Sequence, residues 1–107
     1  MNQAQPITPV TVRPVKYAVC ALPENNINYR HYMIEVQHRG KGRWAVTQID
    51  RCLGADGTWA EGIKPYGRGE QWLADHRFDL DTALRLASEA APHIVVNGYT
   101  VADALSD

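Results

Sequence analysis

The chain has 107 residues, 45% of them hydrophobic and 21% charged, with a formal net charge of −1. That is enough for one globular domain, and the composition is too ordinary for wholesale disorder. No run of about 18 apolar residues is present, so no membrane association through a spanning helix is expected, and MNQAQPITPV lacks the basic and apolar regions of a secretory signal.

Residues 1–14 hold Pro6, Pro9 and Pro14 among small polar residues. Proline removes a backbone donor and fixes φ, so this stretch reads as an extended, flexible N-terminal arm ahead of a single domain over 15–107. VKYAVCAL at 15–22 is rich in β-formers and reads as the first strand, closed by the turn cluster PENN at 23–26. In YRHYMIEVQH, Tyr32, Ile34 and Val36 alternate with Met33, Glu35 and Gln37, the period-two pattern of a half-buried strand. RGKG at 39–42 supplies a glycine-rich hairpin loop, and RWAVTQIDRC reads as one strand over 43–52. GADG at 54–57 ends in Asp-Gly, a hairpin signal, and TWAEGI is a short fourth strand.

GIKPYGRGEQ at 62–71 reads as a loop, and WLAD at 72–75 as one helical turn. The strongest helix signal follows. Asp79 is placed to cap it, and Leu80, Ala83, Leu84, Ala87, Ala90 and Ala91 form one apolar stripe. Asp81 complements the positive end of the helix dipole, and Pro92 bars continuation. HIVVNG is a short strand with an Asn-Gly turn. TVADAL closes with a helical turn, Thr100 capping and Asp103 three residues on. The expected class is α+β: an antiparallel three- to four-stranded β-meander packed on one main C-terminal helix, with a short extra strand or helical turn at the C-terminus. The second sheet face is left to solvent or a partner.

Charge is distributed unevenly along these elements. Residues 30–51 carry five cations against two acids, whereas residues 70–107 carry seven acids against two arginines. Arg39, Lys41 and Arg43 crowd one turn, with Arg30, His38 and Arg51 on the flanking strands. Phosphate contact needs such a cluster, because displaced counterions supply much of the affinity, and a two-stranded ribbon can enter a major groove. The same cluster also suits an acidic protein surface, or serves only to solvate a hairpin and protect an edge. Trp44 and Trp59 lie on hairpins, where an outward ring anchors an interface or stacks on a base; Trp72 beside Leu73 reads as core.

Catalytic chemistry finds little in the sequence. The cysteines, Cys20 and Cys52, form no CxxC or zinc pattern and read as reduced thiols. His31, His38, His76 and His93 form no HxH or HExxH, so no metal and no cofactor is expected. His76 with Asp75 and Asp79 is the one set that would suit a small metal-dependent hydrolase or nuclease. No GxSxG elbow occurs, and Gly40-Lys41-Gly42 is too short for a phosphate loop.

Two resemblances follow from these motifs. RGKGRWAV on a hairpin followed by FDLDTALRLASEAA resembles AP2-type DNA-binding domains and double-stranded-RNA-binding-like meander-plus-helix modules. Gly42, Arg43, Trp44, Ala45, Phe78, Asp79, Ala83, Ala87, Ala90 and Ala91 carry that likeness, over residues 30–91. It implies a nucleic-acid-binding module, from which the long 54–77 segment and the slightly acidic charge depart. CLGADGTWAEGI together with WLADHRFDLDTALRLASEAAPHIVVNGYTVAD is similar to small proteins of actinobacterial phages, especially those of mycobacteria. This second likeness implies a phage accessory product acting in the cytoplasm of the bacterial host, and no chemistry. The expected function is a non-enzymatic accessory protein that engages a host or phage protein through its exposed sheet face and basic hairpin. Nucleic acid is the alternative partner, and the meander edge also suits a homodimer. The candidate binding residues are Arg30, His38, Arg39, Lys41, Arg43, Trp44, Arg51 and Trp59.

Overall fold

A computed structural model describes residues 8–61 and 69–106. Residues 1–7 of the expected arm and 62–68 of the expected loop lie outside the described residues. Among the described residues, five strands, β1 (Lys16–Val19), β2 (Ile34–His38), β3 (Trp44–Gln48), β4 (Arg51–Leu53) and β5 (Trp59–Glu61), form one antiparallel sheet in chain order. The helices are α1 (Tyr29–Tyr32), α2 (Glu70–His76), α3 (Leu80–Ala90) and α4 (Val101–Leu105), with a 3₁₀ turn over Ala91–His93. The fold is therefore α+β, a meander covered by α3, as the hydrophobic pattern requires.

Local chemistry explains where elements begin and end. The expected strand over 29–38 starts five residues late. Asn26 Oδ1 accepts from the Asn28 N–H at 2.8 Å, and the Pro23 carbonyl accepts from the Asn26 N–H at 2.9 Å, so the asparagine-rich stretch winds into α1. The expected strand over 43–52 is two strands. Ile49 takes φ of 56° and, with Asp50, turns the chain between the paired Gln48 and Arg51. Asn97 and Gly98, both at positive φ, make the expected turn, closed by a Val96–Tyr99 bridge.

Register decides which face each side chain takes. Val36 lies opposite Val46, and His38 opposite Trp44. Ile34, Val36, Val46 and Leu53 are fully buried on the helix-facing side. Against them α3 presents Ala83, Leu86 and Ala87, whose spacing makes a stripe and whose small side chains allow close approach. Leu86 joins the expected stripe, while Leu80 and Leu84 lie at its partly buried flanks. Asp79 Oδ1 caps α3 by accepting from the Thr82 N–H at 2.7 Å, and Thr100 with Asp103 forms a reciprocal capping box on α4.

One connection ties the layers together at the site. The Trp44 N–H donates to the Phe78 carbonyl at 2.7 Å, and the Phe78 N–H donates back to the Trp44 carbonyl at 3.0 Å. The segment entering α3 therefore runs beside β3 at its hairpin end.

Candidate protein-binding groove

The hairpin joining β2 to β3 is shaped by three consecutive residues at positive φ: Gly40 at 92°, Lys41 at 53° and Gly42 at 69°. Glycine adopts that region without steric cost, which is why two flank the lysine. The Arg39 N–H donates to the Arg43 carbonyl at 2.8 Å and closes the loop. The tight turn thus brings Arg39, Lys41 and Arg43 to one tip.

These cations do not play equal parts. Arg43 Nη2 donates to the Arg77 carbonyl at 2.9 Å, fastening the hairpin to the start of α3. Arg43 also lies near Asp79, whose carboxyl is held below the usual carboxylate range, mainly by the Thr82 N–H and then by the Thr82 hydroxyl, with smaller help from Arg43 and Arg85. The ion pairs among the described residues are Lys16–Glu35 and Arg85–Glu89, so neither Arg39 nor Lys41 is engaged in one.

Beside the tip, α2 completes a groove of about 520 Å³, lined by Glu70, Leu73 and Ala74 of α2 and by Arg77, together with Arg39, Lys41 and Arg43 of the hairpin. Its surface is mostly apolar although only Leu73 and Ala74 are apolar residue types, so the aliphatic stems of the long cations supply the rest. Trp72 and His76 lie one helical turn apart on one face of α2. Their rings stack with centroids 4.2 Å apart, and His76 Nδ1 donates to the Trp72 carbonyl at 2.8 Å. The Ala55 N–H donates to the Asp75 carbonyl at 2.9 Å, holding the helix against the β4–β5 turn. Leu73 consequently remains 38% exposed, beside the basic hairpin.

The other expected binding residues are placed differently. Trp44 is 7% exposed and belongs to the core, its ring packed by Tyr17 at 5.7 Å and by the edge of His38 at 5.0 Å; it is not a surface anchor. His38 follows it inward, because register puts the two side by side. Arg51 lies at the opposite end of β3 from the hairpin, donating to Gln48 Oε1 at 2.7 Å and covering the half-buried Trp59 ring at 4.8 Å. Arg30 is on α1, also at that far end. The hairpin tip therefore keeps Arg39, Lys41 and Arg43, while Arg51 shares a hollow on the polar sheet face with Arg39. Trp72, expected in the core, is half-buried outside the main cluster.

The sheet face away from α3 is polar. Glu35 holds Lys16 at 3.4 Å and accepts from Gln37 Nε2 at 3.0 Å, and Gln37 donates to Thr47 Oγ1 at 3.1 Å. A second hollow of about 500 Å³ lies over this face, where Arg39 and Arg51 meet the acids Glu35, Asp50 and Glu61, and Arg39 borders both hollows.

Two further sites were considered in the sequence. Around His76, a smaller hollow contains Asp56 and Asp75, yet no group of three or more His, Cys, Asp and Glu among the described residues could hold a metal ion. Asp79 is committed to its helix cap. Cys20 and Cys52 are both free thiols, the former pushed up in pKa by burial and partly offset by the Leu22 N–H.

Sequence reasoning missed Glu70, Leu73 and Ala74. A signal was available: the four-residue spacing of Trp72 and His76 marks one face of a short helix and turns Leu73 away from it. No helix among the described residues is long and apolar enough to cross a membrane. No family model, curated protein or solved structure matches this chain.

Proposed function

We propose that this protein is a non-enzymatic phage accessory protein that captures a host or phage protein in the bacterial cytoplasm. The groove between the basic hairpin and α2 is the seat, and the adjoining polar sheet face is a second contact reached across Arg39. The phage assignment rests on the sequence likeness alone. The observation that carries the binding reading is the meeting of an apolar floor, Leu73 and Ala74, with the exposed cations Arg39 and Lys41. Such a surface suits a peptide segment bearing an apolar side chain flanked by Asp or Glu. The apolar contact supplies most of the affinity, and rim charges supply orientation and encounter rate.

Nucleic acid is the second reading, favoured by three cations at one hairpin tip. The two differ in their response to salt and to the floor. Fluorescence anisotropy with labelled acidic-apolar peptides, duplex DNA and RNA, each across a salt series, separates them. Peptide binding that is lost in Leu73→Asp and only weakened in Arg39→Ala/Lys41→Ala supports the proposal. Steeply salt-dependent DNA or RNA binding that ignores Leu73→Asp selects nucleic acid instead. No binding of any probe removes the groove as a capture site.

A further inference from the structure

We infer that residues 8–19 form a self-complementary edge at which two copies of this chain pair antiparallel, joining their sheets into one. This inference does not rest on the groove.

β1 is an outer strand of the sheet, and it bonds β2 in a fixed register, Lys16 opposite Gln37 through Val19 opposite Ile34. One step earlier, the Val15 carbonyl accepts from the His38 N–H at 2.8 Å. Backbone groups alternate in direction along an extended chain, so those of Lys16 and Ala18 point away from β2. Nothing among the described residues pairs with that side. Upstream, no turn, bend or helix interrupts residues 8–15, and a strand continued through them would carry the same outward row to Pro14, Val12 and Val10.

Side-chain exposure points the same way. Val10 is 85% exposed, Val12 95% and Val15 55%. Val10-Thr11-Val12 is a short β-forming run between Pro9 and Pro14, and exposed valines held in water are poorly served by solvent. A row of unpaired N–H and C=O groups is also a template for another strand. Lys16 is drawn to Glu35 at 3.4 Å, and Arg13, at an odd position, falls on the other side of the strand from Val10 and Val12.

The partner is a second copy because the register closes on itself. Pro14 occupies an outward position and has no N–H to offer. With the two-fold axis at Pro14, each proline faces its twin, and the missing donors coincide. Val12 then lies opposite the partner's Lys16, and Val10 opposite the partner's Ala18. Both are pairs in which each residue gives and accepts a bond. The parity that puts Lys16 on the polar sheet face puts Val10 and Val12 there too, against the partner's alanine and lysine stem. Such an isologous contact stops at two subunits.

Sedimentation velocity of the full chain from low to high micromolar concentration tests this. The expected result is a monomer–dimer equilibrium. Val10→Asp/Val12→Asp should hold the protein monomeric, with an unchanged circular dichroism spectrum and, at concentrations where the parent is also monomeric, an unchanged melting temperature, because both sites are exposed. Val12→Pro, which deletes one outward donor while keeping an apolar side chain, should weaken the dimer at least tenfold. A monomer at every concentration overturns the inference. So does a dimer insensitive to both variants, or growth beyond two subunits.

Discussion

Trp44→Ala distinguishes a core residue from a surface anchor, and it bears on whether the hairpin is held or hangs free. The ring is 7% exposed and packs on Tyr17 and His38, while the backbone of the same residue makes both bonds of the Phe78 bridge. Truncating a buried tryptophan removes its transfer free energy and leaves a cavity that a sheet held on both sides closes poorly, for a cost of about 3–5 kcal/mol. Against a total stability of roughly 5–15 kcal/mol for a domain of this kind, that is a large share. It corresponds to about two to nearly four decades in the ratio of folded to unfolded chain. Trp44→Phe keeps a ring between Tyr17 and His38 and should cost less than about 2 kcal/mol. Urea unfolding followed by circular dichroism is the assay, since the variant loses one of the three tryptophan reporters. A change within about 0.5 kcal/mol, as at ordinary surface sites, would refute the placement of Trp44 in the core.

Three further outcomes follow from particular residues. Ile49, β-branched at φ of 56° and 71% exposed, should be improved by Ile49→Asn, raising stability by about 0.5–1 kcal/mol in thermal unfolding; a loss of that size would show that the turn depends on isoleucine. Asp79 and Asp103 are held below the usual carboxylate range, chiefly by the Thr82 and Thr100 backbone N–H groups, so their stabilising contribution is present above about pH 4 and is lost as pH falls through their lowered folded values. The acid limb of a melting-temperature profile should flatten in Asp79→Asn/Asp103→Asn, and an unaltered limb would assign acid sensitivity elsewhere. Burial pushes the Cys20 thiol up, so its alkylation should be slow near pH 7 and accelerate with rising pH; fast labelling of folded protein at neutral pH, mapped to Cys20 by mass spectrometry, would contradict this.

Much of the architecture was legible because its signals are local. Asp79 before an alanine stripe, Asn97-Gly98 before a cap, and glycines around Lys41 each state their geometry within a few residues. The missed features depend on distant partners. Nothing near Ile49 announces a turn; the strand breaks where Gln48, 2% exposed, is occupied by the His31 carbonyl and by Arg51. Tyr29 to Tyr32 alternate as a strand would, yet the asparagines before them win by capturing backbone donors. For the site, chain proximity grouped Arg51 and Trp44 with the hairpin cations. Register sends one to the far end of the sheet and the other inside. Leu73 entered only when the pairing of Ala55 with Asp75 set α2 beside the hairpin.

The Trp44–Phe78 bridge has a consequence for timing and motion. It spans more than thirty residues of chain, so the groove cannot exist in a β2–β3 hairpin that has formed by itself; it appears only when the helical layer docks, after a costly loop closure. The same linkage works in reverse. Amide hydrogens at Trp44 and Phe78 can trade with solvent only through an opening that separates α3 from the sheet, close to the free energy of losing the whole domain. A partner of the kind proposed for the groove would therefore meet a wall already set in shape, and its occupancy would be felt as slower exchange in the core behind it.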